Sequence, residues 1–201
     1  MAQVLTLRTN GERPYRLGLG VPYHSSISLR TCMSLIGTLR RYNGELFGLA
    51  QQGPYLHFNR EDILQKAIET KCSHLWFCDT DMDFDPDGLE KLVKLDKDVC
   101  GASYNYKQTP TRPVIKFLAM DGTLSDITPD LMPREPFQCA VIPTGFMLIR
   151  LEALEDLQPP FFECIKPVGE DTFFCNKLRV AGIEIWCDQT IRVGHIGEAS
   201  Y

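Results

Sequence analysis

Two carboxylates follow a short apolar segment in a pattern that suits cation binding. Residues 75–78 are continuously apolar and rich in aromatics, which predicts a buried strand. Asp79 and Asp81 come next, and if the chain stays extended their side chains point to the same side. Paired carboxylates repel each other unless a positive charge lies between them, commonly a divalent cation. The sequence therefore predicts a cation site at the carboxyl end of this strand, where open α/β sheets bind ligands.

Two simpler interpretations of the acidic stretch compete with this one. Acidic residues at strand ends are often solvated turn residues. A calcium-binding EF-hand is the second alternative, since Asp79, Asp81, Asp83 and Glu90 occupy positions one, three, five and twelve of such a loop. The sixth position requires glycine for its sharp turn, but Phe84 stands there, and a strand rather than a helix precedes the loop.

A second acidic pair and a histidine occur later in the chain. Glu170 and Asp171 come at the predicted start of a helix, where the helix dipole favours negative charge, so alone they are ordinary helix charges. His195 lies between Gly194 and Gly197, and small neighbours let a ligand or metal approach the backbone closely. Each feature is weak by itself, and the order of all three along the chain is more specific.

The elements around these residues alternate between strand and helix. Asn10-Gly11 predicts a turn, and Asp121-Gly122 predicts a hairpin within an irregular, proline-rich segment, 103–143. The predicted strands are 16–21, 46–50, 75–78, 98–102, 114–117, 140–142, 146–149 and 183–188. The predicted helices are 29–39, with its apolar positions at Leu29, Met33, Ile36 and Leu39, then 59–68, 86–95 with Asp85 as N-cap, 152–157 and 172–181. This alternation predicts an α/β fold, a Rossmann-like and mainly parallel sheet with helices on both faces.

Composition restricts the function classes. A chain of 201 residues suffices for one domain, and its net charge of −5 argues against nucleic-acid binding. No apolar segment is long enough to span a membrane, and the N-terminus lacks a signal-peptide core. The eight cysteines form no Cys-x-x-Cys pair, which argues against a zinc ribbon and for reduced thiols. We therefore expect a cytoplasmic protein with no transmembrane segment.

In this order, the motifs resemble those of the GT-A-fold glycosyltransferases, nucleotide-sugar enzymes with an Asp-x-Asp metal motif. The matching segments are Asp79-Thr80-Asp81-Met82, Gly169-Glu170-Asp171 and His195-Ile196-Gly197. The chain is most similar to small members of the family-two group or of the fungal mannan-polymerase-type group. The resemblance covers roughly 16–197 and is weakest over 103–137. It implies a single GT-A-like domain over 1–201, with a donor-binding half at about 16–102 and an acceptor and catalytic half at about 103–201.

The resemblance also implies a donor and a metal. Asp81 and His195 would hold Mn²⁺ or Mg²⁺, and Asp79 would contact the ribose or a metal-bound water. Because imidazole is softer than carboxylate, the histidine favours Mn²⁺. Tyr23 would stack on the base, and the Arg60 guanidinium offers a fork that suits phosphate. The implied donor-binding residues are Val21, Pro22, Tyr23, Arg60, Asp79, Thr80 and Asp81; the implied metal ligands are Asp79, Asp81 and His195.

For catalysis the resemblance implies a metal-dependent transfer of a hexosyl or N-acetylhexosaminyl group from a UDP- or GDP-sugar to a hydroxyl. Asp171 matches the base of family-two enzymes, and Glu170 is its neighbour. Inversion is favoured over retention, because an inverting enzyme needs a base for the acceptor proton. The sequence leaves open whether the acceptor is a glycan, a lipid-linked molecule or a protein, and whether the chain forms homo-oligomers.

Two other functions remain as alternatives. A nucleotidyltransferase shares a similar sheet and also uses metal, but it normally has a glycine-rich basic loop after the first strand for a triphosphate. Here the loop at 22–26 reads Pro-Tyr-His-Ser-Ser and has no such glycines. A catalytically inactive nucleotide- or calcium-binding module is the second alternative, and calcium binding without nucleotide binding would favour it.

Overall fold

A central mixed sheet organises the chain. The computed structural model describes residues 2–8 and 13–197, so the turn predicted at Asn10-Gly11 lies outside the described residues. The strands are β1 (Gln3–Arg8), β2 (Arg13–Tyr23), β3 (Gly44–Gln52), β4 (His74–Cys78), β5 (Met82–Phe84), β6 (Val99–Gly101), β7 (Lys116–Leu118), β8 (Leu124–Asp126), β9 (Phe137–Cys139), β10 (Phe146–Arg150), β11 (Ile185–Cys187) and β12 (Val193–His195). In the described part, eight of them form one sheet in the order β1-β3-β2-β4-β10-β6-β11-β9.

The strand directions are mixed. β2 pairs in parallel with β3 and β4, and β11 pairs in parallel with β6. β10 lies between β4 and β6 and runs antiparallel to both, while β1 and β9 pair antiparallel at the edges. β2, β3, β4, β6 and β11 therefore share one direction, and their carboxyl ends meet at one edge of the sheet. The α/β prediction is confirmed, although the reversed strands make the sheet mixed rather than purely parallel.

Helices cover both faces of the sheet, as predicted. The helices are α1 (Leu29–Arg41), α2 (Leu56–Glu69), α3 (Gly88–Leu95) and α4 (Glu170–Val180). One face packs α2 and α4 against the sheet through Ile63, Leu64, Phe174 and Leu178. The opposite face packs α1 and α3 through Leu35, Leu89 and Leu92, around the fully buried Trp76. β4 is buried on both faces, because it lies in the middle of the sheet between two helical layers.

Helix α1 presents a different face to the core from the one that its apolar spacing predicts. Leu29, Met33 and Ile36 are exposed, whereas Thr31 and Ser34 are buried. The buried hydroxyls form hydrogen bonds, from Thr31 Oγ1 to Thr80 O at 2.9 Å and from Phe84 N to Ser34 Oγ at 3.0 Å. The polar face therefore turns inward because it meets backbone groups of the acidic segment. Ser28 caps α1, since Ser28 Oγ accepts from Thr31 N.

Several predicted helix boundaries were wrong. α2 begins at Leu56, a full turn before Asn59, and α4 already includes Glu170 and Asp171. α3 begins at Gly88 after Asp87, because Asp85 and Pro86 form a turn closed by Gly88 N and Asp85 O at 3.0 Å. The helix predicted at 152–157 is a short 3-10 helix, Leu151–Leu154, and 140–142 is a buried segment with only an isolated bridge at Val141.

Two small strand pairs complete the fold. β7 and β8 form the hairpin predicted around Asp121-Gly122, and Gly122 has a φ of +82°, which glycine adopts without strain. β5 and β12 pair antiparallel, with His195 opposite Met82. This second pair returns the end of the described chain to the acidic segment that follows β4.

Candidate active site

The predicted site residues gather at the carboxyl edge of the sheet. Tyr23 ends β2, and Gly53 and Asp79 follow the ends of β3 and β4; these three strands are parallel neighbours. β10 starts at the same edge because it is antiparallel to β4, and Asp79 N donates to Gly145 O at 3.0 Å. α4 begins there as well, because it leads back to β11. The edge is where ligands bind in open α/β sheets.

Arg60 is the centre of a buried ion cluster. Its side chain is only 1% exposed, although it carries a permanent charge. Nη2 donates to both oxygens of Asp79, at 2.9 and 3.1 Å. Nη1 donates to Glu170 Oε1 at 2.6 Å and to Asp171 Oδ1 at 2.7 Å. One guanidinium thus joins the first aspartate of the acidic segment to both acidic residues at the start of α4.

The cluster changes the proton affinities of its members. Burial lowers the pKa of Arg60, but Asp79, Asp171 and Glu170 outweigh it and raise that pKa well above its ordinary value. Burial raises the pKa of Asp79, and Arg60 opposes this effect. Burial, then repulsion from Asp171, raises the pKa of Glu170. Three carboxylates around one cation leave an excess of negative charge, so the site favours a further positive group.

Asp171 is held through one oxygen only. Its Oδ1 accepts from Arg60 Nη1 and from Thr144 Oγ1, the latter at 2.5 Å. Across the described residues, Oδ2 accepts no hydrogen bond. Asp171 also borders a hollow of about 260 Å³, in which Tyr106, Lys116 and Pro167 form other walls. A fixed carboxylate with one unengaged oxygen beside a hollow is suited to accept a proton from a bound hydroxyl.

Close packing at Gly145 and Tyr104 restricts the position of the Asp79 carboxylate. A Cβ on Gly145 would lie 2.6 Å from Asp79 Oδ2 and would collide with the Tyr104 hydroxyl. A larger residue at this position therefore requires Asp79 and Tyr104 to shift. Tyr104 is buried, and burial together with Asp79 and Asp171 raises its pKa well above the ordinary value. The phenol is consequently neutral and serves as a wall of the cluster.

Asp81 has a different environment. Its Oδ2 contacts Lys107 Nζ and lies 3.4 Å from His195 Nε2. β12 brings the histidine there, because Ile196 N donates to Asp81 O at 2.7 Å beside the β5–β12 pair. Burial raises the pKa of Asp81, but hydrogen bonds from His195 and Lys107 outweigh it and lower the pKa below its ordinary value. Asp81 therefore stays ionised over a wide pH range.

The residues predicted to bind a nucleotide line a cleft next to the acidic segment. The cleft of about 250 Å³ is bordered by Pro22, Tyr23, Asp79, Thr80 and Asp81. An adjoining apolar hollow adds Val21 and shares Tyr23 and Thr80. Arg60 is buried beneath this edge and does not line either hollow, because its guanidinium is taken up by the three carboxylates.

Asn59 shapes this cleft and was not predicted. Its side chain is 4% exposed, and Nδ2 donates to Gly53 O at 3.0 Å and to Tyr23 O at 3.5 Å. Gly53 N in turn donates to Tyr23 O at 3.1 Å. One amide thereby joins the loops that follow β2 and β3. The sequence signal was available, since Asn59 directly precedes Arg60 near the start of a predicted helix.

Other site residues also escaped the sequence analysis. Tyr104, Asn105 and Lys107 follow the carboxyl end of β6, whose direction alone would have placed them at this edge. Thr144 precedes β10, and only the antiparallel placement of that strand brings it to Asp171. A larger cleft of about 750 Å³ lies at the opposite end of β4 around His74 and contains none of these groups. We place the site at the smaller clefts because the charged side chains converge there.

The arrangement fits a divalent cation held by two protein ligands. His195 Nδ1 lies 3.1 Å from Asn105 O, and a carbonyl oxygen only accepts, so Nδ1 carries the proton. Nε2 then faces Asp81, the arrangement of metal-ligating histidines whose other nitrogen donates to a carbonyl. Among residues 2–8 and 13–197, no three His, Cys, Asp or Glu side chains surround a common ion position. Asp79 is directed to Arg60 instead.

Comparison with known proteins gives the fold. No protein-family model matches the chain, and no curated protein matches it. The structure is similar to that of A197 from STIV, with 21% identity, a TM-score of 0.62, and coverage of 91% of this chain and 86% of that one. No helix within the described residues has the length and apolar character that crossing a bilayer requires.

A second solved structure has the same fold over a larger protein. GalNAc-T7, determined with UDP, GalNAc and Mn²⁺, is 14% identical with a TM-score of 0.58. The match covers 92% of this chain but only 44% of GalNAc-T7, so the chain spans less than half the length of that protein. At these identities the likenesses establish the architecture alone. The chain is a mixed α/β domain with a GT-A-like fold.

Proposed function

We propose that the protein is a metal-dependent glycosyltransferase that moves a sugar from a nucleotide diphosphate sugar to a hydroxyl acceptor. The observation that carries the proposal is the convergence of Asp79, Asp81, His195 and Asp171 at one sheet edge of a GT-A-like fold. The two clefts at that edge suit two substrates, one next to Asp81 and one next to Asp171. GalNAc-T7, with UDP and GalNAc in its structure, supports a UDP-linked N-acetylhexosaminyl or hexosyl donor.

On the donor side, we assign the base to the hollow that Val21, Pro22 and Tyr23 border, with Tyr23 stacking on it. Thr80 has its carbonyl fixed by Ser28 N at 2.8 Å, which keeps the acidic segment rigid beside the nucleotide. Asp81 and His195 would hold Mn²⁺ or Mg²⁺. A bound ion of this kind stabilises the negative charge that develops on a diphosphate leaving group.

On the acceptor side, Asp171 is the proposed general base. Arg60 and Thr144 hold Oδ1, so Oδ2 is the oxygen that accepts the proton of the attacking hydroxyl. Glu170 occupies the other position on Arg60 Nη1 and thereby fixes the orientation of the guanidinium. Direct attack by an acceptor hydroxyl on the anomeric carbon inverts its configuration, so we propose an inverting reaction.

The donor assignment is tested by ligand-dependent thermal stability. UDP, GDP and their sugar conjugates are each added with Mn²⁺, Mg²⁺, Ca²⁺ or EDTA. A ligand at about 100 times its dissociation constant stabilises by about 2.7 kcal/mol, so we expect a clear rise in Tm with one nucleotide and Mn²⁺. Asp81→Ala should abolish that rise. Stabilisation by Ca²⁺ alone, with no response to any nucleotide, would support a calcium-binding module instead.

The base assignment is tested with Asp171→Asn. The amide keeps an acceptor oxygen for Arg60 and Thr144 but takes no proton, so we expect transfer to fall at least about 100-fold. Nucleotide-dependent stabilisation should remain, because Asp171 borders the other cleft. The measurement is the rate of sugar transfer beside the Tm shift. Undiminished transfer would exclude Asp171 as the base.

A further inference from the structure

Lys107 contacts Asp81, one of the two residues proposed to hold the metal ion. Its Nζ contacts Asp81 Oδ2, the same oxygen that lies 3.4 Å from His195 Nε2. His195 Nδ1 donates to Asn105 O, so Nε2 is the ring nitrogen that faces the carboxylate. The lysine ammonium supplies positive charge at the carboxylate oxygen that faces this nitrogen.

The ion pair between Lys107 and Asp81 is of a kind that another cation can replace. The side chains of Lys107 and Asp81 are 36% and 34% exposed, in contrast to the 1% of Arg60. Lys107 lies in the irregular stretch between β6 and β7, so no helix or strand fixes its backbone. A lysine is a point charge on a flexible four-carbon stem, and it forms no fixed fork with its partner. A partly exposed pair of this kind contributes little stability and separates readily.

We propose that Lys107 is a built-in competitor for the divalent ion, which leaves Asp81 when the ion and the donor diphosphate bind together. This inference rests on the proposed function. With the ion alone, removing Lys107 from Asp81 leaves the ammonium without a partner, so free metal binds weakly. With a nucleotide diphosphate present, the released ammonium contacts phosphate oxygens in a charge-assisted hydrogen bond.

Metal and nucleotide binding are consequently coupled through one side chain. The affinity for the ion rises when nucleotide is present, and by linkage the affinity for nucleotide rises by the same factor when the ion is present. The residues that surround Lys107 take part in both halves of the site. Asn105 fixes His195, and Tyr106 borders the hollow next to Asp171.

The test measures binding of Mn²⁺ itself, from the electron paramagnetic resonance signal of the free ion, in the full chain. Lys107→Gln removes the charge and keeps much of the side-chain length, so we expect Mn²⁺ alone to bind roughly five- to tenfold more tightly than in wild type. Lys107→Arg should keep the weak binding. Lys66→Gln, which removes a lysine that is 34% exposed and paired with Glu69, is the matched control and should leave Mn²⁺ affinity unchanged.

The same titrations are repeated with saturating UDP and with saturating GDP. In wild type, the nucleotide that binds should raise the Mn²⁺ affinity. In Lys107→Gln the nucleotide should raise the Mn²⁺ affinity less, by about the five- to tenfold factor that the substitution gives without nucleotide. Equal or weaker Mn²⁺ binding in Lys107→Gln would overturn the inference, as would the absence of Mn²⁺ binding from both proteins. Tighter Mn²⁺ binding in Lys107→Gln without any effect of nucleotide would support competition between Lys107 and the ion, and it would refute the proposed function.

Discussion

Asp79 and Asp81 are two residues apart at the end of one strand, yet their environments are opposite. Asp79 accepts hydrogen bonds from the guanidinium of a buried arginine, and a methyl group added at Gly145 would collide with its carboxylate. Asp81 is about one-third exposed and contacts a lysine on an irregular segment. Folding raises the pKa of the first carboxyl through burial, and lowers that of the second, where hydrogen bonds from His195 and Lys107 outweigh burial.

The two environments suit different roles: the cluster around Asp79 holds side chains in place, whereas the ion pair of Asp81 can exchange one cation for another. A charge cluster that is buried and tightly hydrogen-bonded holds its geometry, because each member would be costly to leave unpaired. A partly exposed pair can open and accept another cation at small cost. An Asp-x-Asp motif therefore does not assign equal roles to its two carboxylates. In this chain Arg60 joins Asp79 to the proposed base Asp171, and Asp81, outside that cluster, is the carboxylate proposed to bind an ion.

The largest expected effect is on stability, from Arg60→Met. The variant leaves three acidic groups around a buried apolar side chain, and removing one partner of a buried ion cluster costs about 3–5 kcal/mol. Denaturant unfolding at neutral pH measures the free energy difference. Arg112→Met is the matched control, since Arg112 is half-exposed and pairs with Asp126 at the surface, so the loss there should stay below about 1 kcal/mol. Similar losses in both variants would refute the special role of the buried cluster.

An intermediate effect is expected from Gly145→Ala. The added methyl group meets Asp79 and Tyr104, so the cluster must shift, which costs about 1–3 kcal/mol and displaces Asp79 while leaving Asp81 untouched. Unfolding experiments and nucleotide-dependent Tm shifts measure both consequences. At Gly169 a Cβ meets no atom within 4 Å, so Gly169→Ala should change stability by less than about 1 kcal/mol. A neutral Gly145→Ala would show that Asp79 is not rigidly held.

The smallest expected effect is a pH dependence at Asp81. Because folding lowers its pKa, the carboxylate contributes stability that is fully present above the ordinary value of 3.8 and is lost as pH falls through the folded-state pKa. Metal-free Asp81→Asn should therefore be less stable than wild type by under about 1 kcal/mol at pH 7, with a difference that vanishes in acid. Urea unfolding between pH 7 and 3 follows this difference. A difference that grows toward low pH would contradict the assignment.

Much of the fold followed from local patterns. The apolar segment before Asp79, the alternation of strand and helix, and the hairpin at Asp121-Gly122 were all predicted and are present. α1 was oriented wrongly, because its apolar spacing carried no information about the backbone groups that Thr31 and Ser34 bind. The reversal of β10 was not predicted either, since a buried strand has the same apolar pattern in either direction.

The sequence by itself determined which chemical groups are present and that several of them stand at element ends, where backbone groups and side chains are free to meet a ligand. It placed Asp79, Asp81 and Asp171 at such ends, because strand and helix signals depend on neighbouring residues. Only the tertiary structure decided their partners. Arg60 lies 110 residues from Glu170, and Lys107 lies 26 from Asp81, so sequence spacing could not reveal that one cation is buried and the other exchangeable. Burial and charge compensation depend on how distant segments pack, and these two quantities separate the two carboxylates.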